Sequence, residues 1–385
     1  MTGLLASPFE FRCAPRIVAG CGSLARVGDL TAGLGVERVL LVTDPGLVAA
    51  GHAARCEQYL AAAQLTCARF DGVRENPSTT DVDLGLAVAR DFRPEVLLAL
   101  GGGSAMDCTK GINFLYTNGG RMEDYWGTGK AHREMLPALA IPTTAGTGSE
   151  VQSFALISRT SDGTKMACGD PRVAFRFAIL DPELLTTCPK DTAALAGLDA
   201  LAHAIETFVS TRRNDFSAML SRQAFQWLAH HLDALVGPSV SLETWSFLQR
   251  GACLAGLAIE NSMLGAAHAL SNPLTARCHV PHGQAVAMML PHVIEFNRSR
   301  CDALYAELAS LAPAPYRVSG GGIGLVSLTR ELLQTLRRPA SLREVSVAPE
   351  LLPELARSAA EQWTGTFNPV PFGAQDALDL YERAY

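Results

Sequence analysis

A run of five apolar residues that leads directly into three glycines and a serine constrains the fold of this chain more than any other feature. Val96–Leu100 has the continuous apolar character of a strand buried on both faces, and Gly101-Gly102-Gly103-Ser104 then opens a helix. Strand-like and helix-like segments alternate around this point, which is typical of a Rossmann-like parallel sheet covered by helices. The other predicted elements of this part are strand-like segments at Arg16–Val18, Arg38–Thr43, Thr66–Phe70, Ala138–Pro142 and Phe177–Asp181, and helices at Val48–Gln64 and Thr79–Asp91.

The pattern of the sequence changes near residue 189. Strand signals fade there, and helical periodicity rich in alanine and leucine continues almost to Tyr385. This change predicts two domains, an α/β domain over residues 1–188 and an all-helical domain over residues 189–385. The helical part has predicted breaks at Gly237-Pro238, Asn272-Pro273, Val280-Pro281, Ala312–Pro315, Gly320–Gly322 and Asn368–Phe372.

Composition limits the classes of partner. The chain has 385 residues, which is enough for two cores, and its net charge of −6 disfavours nucleic acid and anionic membrane surfaces. No apolar run reaches the roughly 18 residues of a membrane span, and the start, MTGLLASPFEFRCAPR, lacks the pattern of a signal peptide. Ten cysteines without CxxC pairs are typical of free thiols in a reducing compartment. We therefore expect a cytoplasmic protein.

The glycine run is a candidate phosphate site, because glycines let a ligand approach the backbone and helix amides then face it. An ordinary glycine-rich turn is the alternative interpretation. Asp107 and Lys110, on the first turns of the following helix, could equally be surface charges. Gly20 and Gly22 fit G-x-G-x-x-A, but this signal is weak and we interpret them as a turn.

Two further segments could contact a nucleotide. Asp44 follows a predicted strand, where a carboxylate can accept hydrogen bonds from a ribose diol and repel a 2′-phosphate, which favours NAD over NADP. A simple Asx turn explains Asp44 equally well. TTAGTGSE, from Thr143 to Glu150, is a hydroxyl-rich loop that could bind phosphates or could be merely flexible.

Four candidate metal ligands stand in two helical segments. Asp199 and His203 lie in GLDALAHAIE at spacing i, i+4, which places both side chains on one helix face. His268 and His282 lie in MLGAAHALSNPLTARCHVPHG, where we expect a helix break at Pro273. One carboxylate and three imidazoles suit a divalent metal such as Fe²⁺ or Zn²⁺.

A single histidine on an apolar helix is usually a satisfied core residue, and we interpret His230, His279 and His292 as structural or surface residues. His279 is close enough in sequence to His282 to be a pocket residue. Glu206 shares the helix face of Asp199 and His203 and could support a ligand from behind.

Together these segments resemble the iron-containing (group III) alcohol dehydrogenases. The resemblance covers nearly the whole chain. It rests on RIVAGCGSL, LVTDPGLVAAGH, ENPSTTDVD, GGGSAMDCTKGI, IPTTAGTGSEV, LDPELLTTCP, AGLDALAHAIE, AAHALSNPLTARCHVPHG and NPVP.

The resemblance implies a dehydroquinate synthase-like architecture, with NAD(H) on the α/β domain, a divalent metal on the helical domain and catalysis in the cleft between them. It also implies a homodimer. The implied metal ligands are Asp199, His203, His268 and His282, and the implied cofactor contacts are Asp44, Gly101, Gly102, Gly103, Ser104, Thr143, Thr144 and Thr147.

The implied reaction is hydride transfer between nicotinamide and a small alcohol or aldehyde polarised by the metal. Lys165 resembles a lysine that many members place near the nicotinamide. Many members also carry a proton-relay histidine four residues after the third ligand, where this chain has Asn272, in a pattern similar to a less characterised branch. A relay must then use water, a cofactor hydroxyl or another residue such as His279, because an amide is no general acid.

Several alternatives remain. Arg277 and Lys165 could serve an anionic substrate, as in a phosphonoacetaldehyde reductase. A glycerol dehydrogenase or maleylacetate reductase fits the LDALAHAIE and PHG motifs less well. The third alternative is a non-catalytic homologue that binds metal and nucleotide without turnover.

Overall fold

The computed structural model of the protein describes residues 8–314 and 321–385. Part of the segment in which no signal peptide is expected, and parts of the predicted breaks at Ala312–Pro315 and Gly320–Gly322, lie outside the described residues. These described residues form two compact units, one of residues 13–188 and one of residues 8–12 together with residues 189–314 and 321–385. The described segment before Cys13 belongs to the helical unit, whereas the sequence predicted it as part of the α/β domain of residues 1–188. Arg12 N donates a hydrogen bond to Asn261 Oδ1 at 2.7 Å, and Asn261 Nδ2 donates one to Arg12 O at 2.9 Å, which ties this segment to the helical unit.

The α/β unit contains a six-stranded sheet in which every pairing is parallel, with the strands in the spatial order 16–19, 177–180, 138–142, 96–101, 38–42 and 66–70. The predicted Rossmann-like parallel sheet is therefore confirmed. Its central strands are continuously apolar and buried, as expected for strands that are covered on both faces. The strands of this unit are β1 (Arg16–Ala19), β2 (Arg38–Val42), β3 (Thr66–Phe70), β4 (Val96–Gly101), β5 (Gly127–Thr128), β6 (Ala138–Pro142), β7 (Phe154–Ser158), β8 (Lys165–Gly169) and β9 (Phe177–Leu180).

Two helices of the α/β unit, at residues 79–92 and 103–118, agree with the sequence, whereas the helix at residues 27–32 was not predicted. The predicted single helix Val48–Gln64 is wrong, because Gly51 at φ +80° separates two helices. The helices are α1 (Val27–Ala32), α2 (Pro45–Ala49), α3 (His52–Ala62), α4 (Thr79–Phe92) and α5 (Gly103–Asn118). The sequence also missed a small second sheet, of order β5-β8-β7, which carries Lys165 at the start of β8.

Strand order brings three loops to one edge of the large sheet. Because β4 lies between β2 and β6 and all three are parallel, their carboxyl ends meet at the same edge. Gly101 is in register with Pro142, and Thr143 N donates a hydrogen bond to Gly101 O at 3.1 Å. The glycine run after β4, the threonine-rich loop after β6 and Asp44 after β2 are therefore neighbours.

The second unit is helical among its described residues, which confirms the predicted helical C-terminal part. Its helices are α6 (Lys190–Val209), α7 (Asp215–His231), α8 (Leu242–Ser262), α9 (Ala266–Cys278), α10 (His282–Ser310), α11 (Gly322–Thr335), α12 (Leu352–Ala360) and α13 (Ala374–Ala384). Helix α6 is long and apolar enough to cross a membrane by length and composition alone, although Lys190, Asp191, Asp199 and Glu206 interrupt its apolar residues. However, 83% of its apolar window is buried within the protein, as in the core helix of a soluble domain.

Helix α9 runs without interruption through Pro273, so the predicted break at this residue is wrong. A short helical segment late in the chain runs antiparallel to α9 and meets it every third residue. Gln362 accepts a hydrogen bond from Asn272 Nδ2 at 3.0 Å, and Asn368 Oδ1 accepts one from the backbone amide of Ala266 at 3.2 Å. Between them, a Cβ on Gly365 would lie 3.4 Å from the Cβ of Ala269. We call residues 362–368 the C-terminal strap.

Candidate metal centre and nucleotide-binding loops

The four candidate metal ligands converge on one carboxylate oxygen within the helical unit. Asp199 and His203 stand one turn apart on α6, and His203 Nε2 lies 3.5 Å from Asp199 Oδ1. His268 Nε2 on α9 lies 3.3 Å from the same oxygen. His282 Nε2, at the first residue of α10, lies 3.7 Å from it. Three imidazole nitrogens therefore surround one acidic oxygen.

Most of this cluster is withdrawn from water. Asp199, His203 and His268 are each 4% exposed, whereas the His282 side chain is 22% exposed. The rings of His203 and His268 stack with centroids 4.7 Å apart. The cluster therefore has one accessible side, which is what a catalytic rather than a closed structural metal site requires.

Glu206, one further turn along α6, fixes the orientation of His268. Its Oε2 lies 2.5 Å from His268 Nδ1, and its Oε1 accepts a hydrogen bond from the backbone amide of Ala267 at 2.6 Å. A carboxylate at Nδ1 requires a proton on that nitrogen, so in the neutral form of the ring, which is the form that binds a metal, the lone pair of His268 is on Nε2, which faces Asp199. Gly265 leaves the room for this contact, because a Cβ there would lie 3.0 Å from Glu206 Oε1.

The electrostatics of the cluster favour a cation beside Asp199. Burial alone would raise the pKa of Asp199, but His203, His282 and His268 outweigh burial and lower it. Burial likewise opposes a charge on His268, yet Glu206 and Asp199 raise the pKa of His268 to about 9. Asp199 Oδ1 and His268 Nε2 are buried, and neither has a hydrogen-bond partner of standard geometry among the described residues. A divalent cation satisfies both atoms, so the residues present fit the metal that the sequence implies.

The glycine run forms a tight cradle at the start of α5. Gly102 is the N-cap of this sixteen-residue helix, and Ser104 lies in its first turn. A Cβ on Gly102 would lie 3.0 Å from Thr144 Oγ1, and one on Gly103 would lie 2.7 Å from Thr147 Cγ2. The threonine-rich loop thus packs directly against the glycines. Free backbone amides at a helix N-terminus with hydroxyls beside them suit a phosphate group.

Asp44 lies at the same edge of the large sheet, where it caps a helix. It is the N-cap of α2, and its Oδ1 accepts a hydrogen bond from Leu47 N at 3.1 Å. Its Oδ2 lies 3.6 Å from the position of a Cβ on Gly101. Both interpretations of Asp44 are therefore compatible, because the capping oxygen is Oδ1 and the other oxygen faces the glycine run.

Gly20 and Gly22 lie in a turn, as we interpreted them from the sequence. The Asp181 carboxylate accepts hydrogen bonds from two backbone amides of this turn, Gly22 N at 3.2 Å and Leu24 N at 3.0 Å. A carboxylate in this position competes with any phosphate, which explains why the G-x-G-x-x-A match is not a second cradle.

Asp107 and Lys110 differ from the surface charges that the sequence suggested as one alternative. Both are buried in α5, with Lys110 1% exposed. Lys110 Nζ donates to Ser149 O at 2.8 Å and Asp107 Oδ1 accepts from Ser149 Oγ at 2.7 Å. Sequence reasoning missed this cluster, because a helix with charges at i and i+3 normally presents them to water. The signal that was available is Ser149 in the adjacent loop.

The remaining candidates lie outside the four-ligand cluster. Lys165 is half-buried at the start of β8, in the α/β unit. His279 is exposed and ends α9 in a left-handed conformation with φ +56°. Asn272 shares the helix face of His268, but its side-chain amide donates a hydrogen bond to Gln362.

Arg277 forms an ion pair with Glu354, so the guanidinium considered for an anionic substrate already has a carboxylate partner. His230 lies 3.0 Å from Leu311 O through Nε2, as a structural histidine.

Comparisons with known proteins cover both units. The family model described as "Iron-containing alcohol dehydrogenase" matches residues 14–182, and the model described as "Fe-containing alcohol dehydrogenase family, C-terminal" matches residues 193–385. Alcohol dehydrogenase 4 of Saccharomyces cerevisiae is 32% identical over 385 residues, which is 100% of this chain and 99% of that protein.

Solved structures agree with the sequence relatives. A crystal structure of 1,3-propanediol oxidoreductase has a TM-score of 0.95 and 30% identity, and covers 98% of this chain and 100% of its own. Sulfoacetaldehyde reductase from Bifidobacterium kashiwanohense in complex with NAD⁺ has a TM-score of 0.88 and 25% identity, and covers 98% of this chain and 99% of its own. The two family matches, the whole-length relative and the parallel sheet followed by helices support one assignment: this chain belongs to the iron-containing alcohol dehydrogenase family of oxidoreductases.

Proposed function

We propose that this protein is a metal-dependent, NAD(H)-linked alcohol dehydrogenase that reduces small aldehydes. One observation carries the proposal: three imidazole nitrogens lie 3.3 to 3.7 Å from a single buried carboxylate oxygen, Asp199 Oδ1. In soluble proteins such a set of donors is costly to bury without a cation, and its one accessible side leaves room for a substrate oxygen.

In this proposal Asp199, His203, His268 and His282 hold the metal, with Fe²⁺ expected and Zn²⁺ as the alternative. A cation bound there would supply Lewis acidity toward a carbonyl oxygen, and NADH would supply the hydride. The role of the protein is to orient the donor atoms. Glu206 keeps the Nε2 lone pair of His268 directed toward Asp199, and burial on α6 and α9 excludes water from all sides but that of His282.

The preference for NAD(H) follows from Asp44 and the glycine run. The free oxygen of Asp44 faces Gly101, where a ribose diol could donate to it and a 2′-phosphate would be repelled. The amides of Gly102 to Ser104 and the hydroxyls of Thr144 and Thr147 would contact the pyrophosphate, with Thr143 supporting the loop from its buried position. Lys165 would face the nicotinamide side.

A neutral aldehyde is the better substrate class for this site. Arg277 is paired with Glu354, which weakens the alternative of an anionic aldehyde. Asn272 donates to Gln362 and cannot release a proton at neutral pH, and His279 is exposed at the end of α9. We therefore propose that the proton for the product alcohol comes from water or a cofactor hydroxyl.

The test is NADH consumption by apo protein reloaded with Fe²⁺ or Zn²⁺, measured over a panel of neutral and anionic aldehydes. Wild type should oxidise NADH, and His268→Ala should lose activity by about 100-fold or more while still binding NADH, because only the metal half is damaged. His230→Ala, at an exposed histidine of the same unit, is the matched control and should keep full activity. Wild type without turnover on any aldehyde with either metal would overturn the proposal.

Two further expectations belong to the proposed function. We propose a homodimer, which light scattering on the purified protein tests directly. The cytoplasmic location likewise stays a prediction, and fractionation of cells that express the natural gene would check it.

A further inference from the structure

A deeply buried lysine of the α/β unit lies next to the proposed nucleotide loops and has no assigned role. Lys110 is 1% exposed. Its ammonium donates to Ser149 O at 2.8 Å, Ser149 Oγ at 2.8 Å and Phe154 O at 2.7 Å. An ammonium has three protons, so these contacts satisfy all of them, which is the condition under which a buried lysine can stay charged.

Asp107, one turn before Lys110 on α5, completes the cluster. Its Oδ1 accepts the hydroxyl proton of Ser149 at 2.7 Å and lies 3.9 Å from Lys110 Nζ. Burial raises the pKa of Asp107, and Lys110, the Ser149 hydroxyl and Lys165 act against that rise. The carboxyl group of Asp107 is therefore influenced by two lysines, Lys110 and Lys165. We call Asp107, Lys110 and Ser149 the Lys110 cluster.

A chain of contacts leads from this cluster to the glycine cradle. Ser149 N donates to Thr147 Oγ1 at 3.3 Å. The Thr147 side chain in turn occupies the space in which a Cβ on Gly103 would stand, at 2.7 Å from Thr147 Cγ2. The cluster thus anchors the end of the loop of residues 143–149, which we call the threonine loop, at the point where the loop touches the first residue of α5.

Stability alone does not explain charges at this place. Replacing a buried ion pair by apolar side chains of similar volume is often neutral or stabilising, so a fold that needed only stability could use them. The threonine loop consists of small residues, of which only Ala145 is apolar, so it has little surface with which to pack itself down. Polar anchors that reach its backbone carbonyl can hold such a loop in one conformation.

We propose that the Lys110 cluster is a positioning device that holds the threonine loop against the glycine run, so that a dinucleotide meets a preformed site. This inference rests on the proposed NAD(H) function of these loops. Lys110 and Asp107 act through Ser149 and contact no ligand themselves. Because a preformed loop avoids the entropy cost of ordering upon binding, loss of the anchor should weaken nucleotide binding without affecting the metal.

The experiment compares Lys110→Met with Lys130→Met in the full-length, metal-loaded protein. Lys130 is an exposed lysine of the same unit, so the same chemical change is made where no buried anchor is lost. The Kd of NADH from fluorescence titration should rise about tenfold in Lys110→Met and stay unchanged in Lys130→Met. The metal content and the KM for aldehyde at saturating NADH should not change, and this split separates positioning from a general loss of structure.

A double variant keeps the test decisive if Lys110→Met folds poorly with Asp107 left buried and unpaired. Lys110→Met with Asp107→Asn removes both charges and should regain thermal stability, yet it should still bind NADH weakly because Ser149 has lost its ammonium. Recovery of wild-type affinity by the double variant, or equal affinity of Lys110→Met and wild type, would overturn the inference alone. A wild type that binds no NADH would overturn the proposed function and the inference with it.

Discussion

Glu206 fixes the orientation of one histidine of the candidate metal centre, although it is not a candidate ligand itself. It contacts both His268 Nδ1 and the backbone amide of Ala267, so one carboxylate fixes the ring and the start of the helix that carries it. Removal of such a supporting partner typically costs about 10–100-fold in metal affinity. Glu206→Leu should show a loss of this size in competition with a chelator. Glu206→Gln should lose less, because its amide oxygen can still accept from Nδ1.

Glu361→Gln is the matched control for Glu206, because it makes the same change at an exposed glutamate of the helical unit. It should bind metal as wild type does. Equal metal affinity of Glu206→Leu and wild type would show that the tautomer of His268 does not depend on this contact.

At the scale of elements, the threonine loop can pack against the junction of β4 and α5 only because Gly103 has no side chain. A Cβ on Gly103 would lie 2.7 Å from Thr147 Cγ2 and 2.8 Å from Thr147 Oγ1, so Gly103→Ala should push the loop outward. We expect the Kd of NADH to rise by about tenfold, since overpacking typically costs 1–3 kcal/mol. Titration of the variant with NADH measures this directly.

The reciprocal change at Thr147 checks the cause of that effect. Thr147→Ala removes the two atoms that Gly103→Ala would strike, so the double variant should bind NADH more tightly than additivity of the two single variants predicts. Simple additivity would mean that the alanine acts on the backbone of α5 rather than on the threonine loop.

At the scale of the whole molecule, metal and stability should be coupled. At the proposed site a cation would bind only the folded arrangement of α6, α9 and α10, so metal at 100 times its Kd should stabilise the protein by about 2.7 kcal/mol. Differential scanning calorimetry in chelator and in Fe²⁺ or Zn²⁺ should show the unfolding temperature rise with metal. Asp199→Asn should abolish that rise, whereas Asp379→Asn, at an exposed aspartate, should leave it intact.

The sequence predicted the parallel sheet well because its strands are continuously apolar, as in Val96–Leu100, and that pattern leaves few other folds. The spacing of Asp199 and His203 likewise predicts that both side chains lie on one helix face, and in the structure His203 Nε2 lies 3.5 Å from Asp199 Oδ1. The small sheet was missed because Gly127–Thr128 is two residues long and Lys165–Gly169 begins with a charge. Local propensity alone does not reveal strands of this kind.

Two misses have tertiary causes. Pro273 normally ends a helix, but α9 is buried along most of its length and is held at Ala266, Ala269 and Asn272 by the C-terminal strap, so packing outweighs propensity. Lys110 is buried because every residue of α5 from Ala105 to Leu115 is covered, and an amphipathic pattern in the sequence cannot show that a helix is enclosed on all sides.

The C-terminal strap has a consequence for the order of events during synthesis. His268 is translated long before Gln362 and Asn368, so the hydrogen bonds of Asn272 and Ala266 on α9 with these late residues cannot form until the strap is present. A nascent chain therefore presents His268 on a helix that lacks its contacts with the strap. We therefore expect the metal to be acquired by the finished chain and not by the growing one, and a product that stops before residue 362 should retain the metal less well.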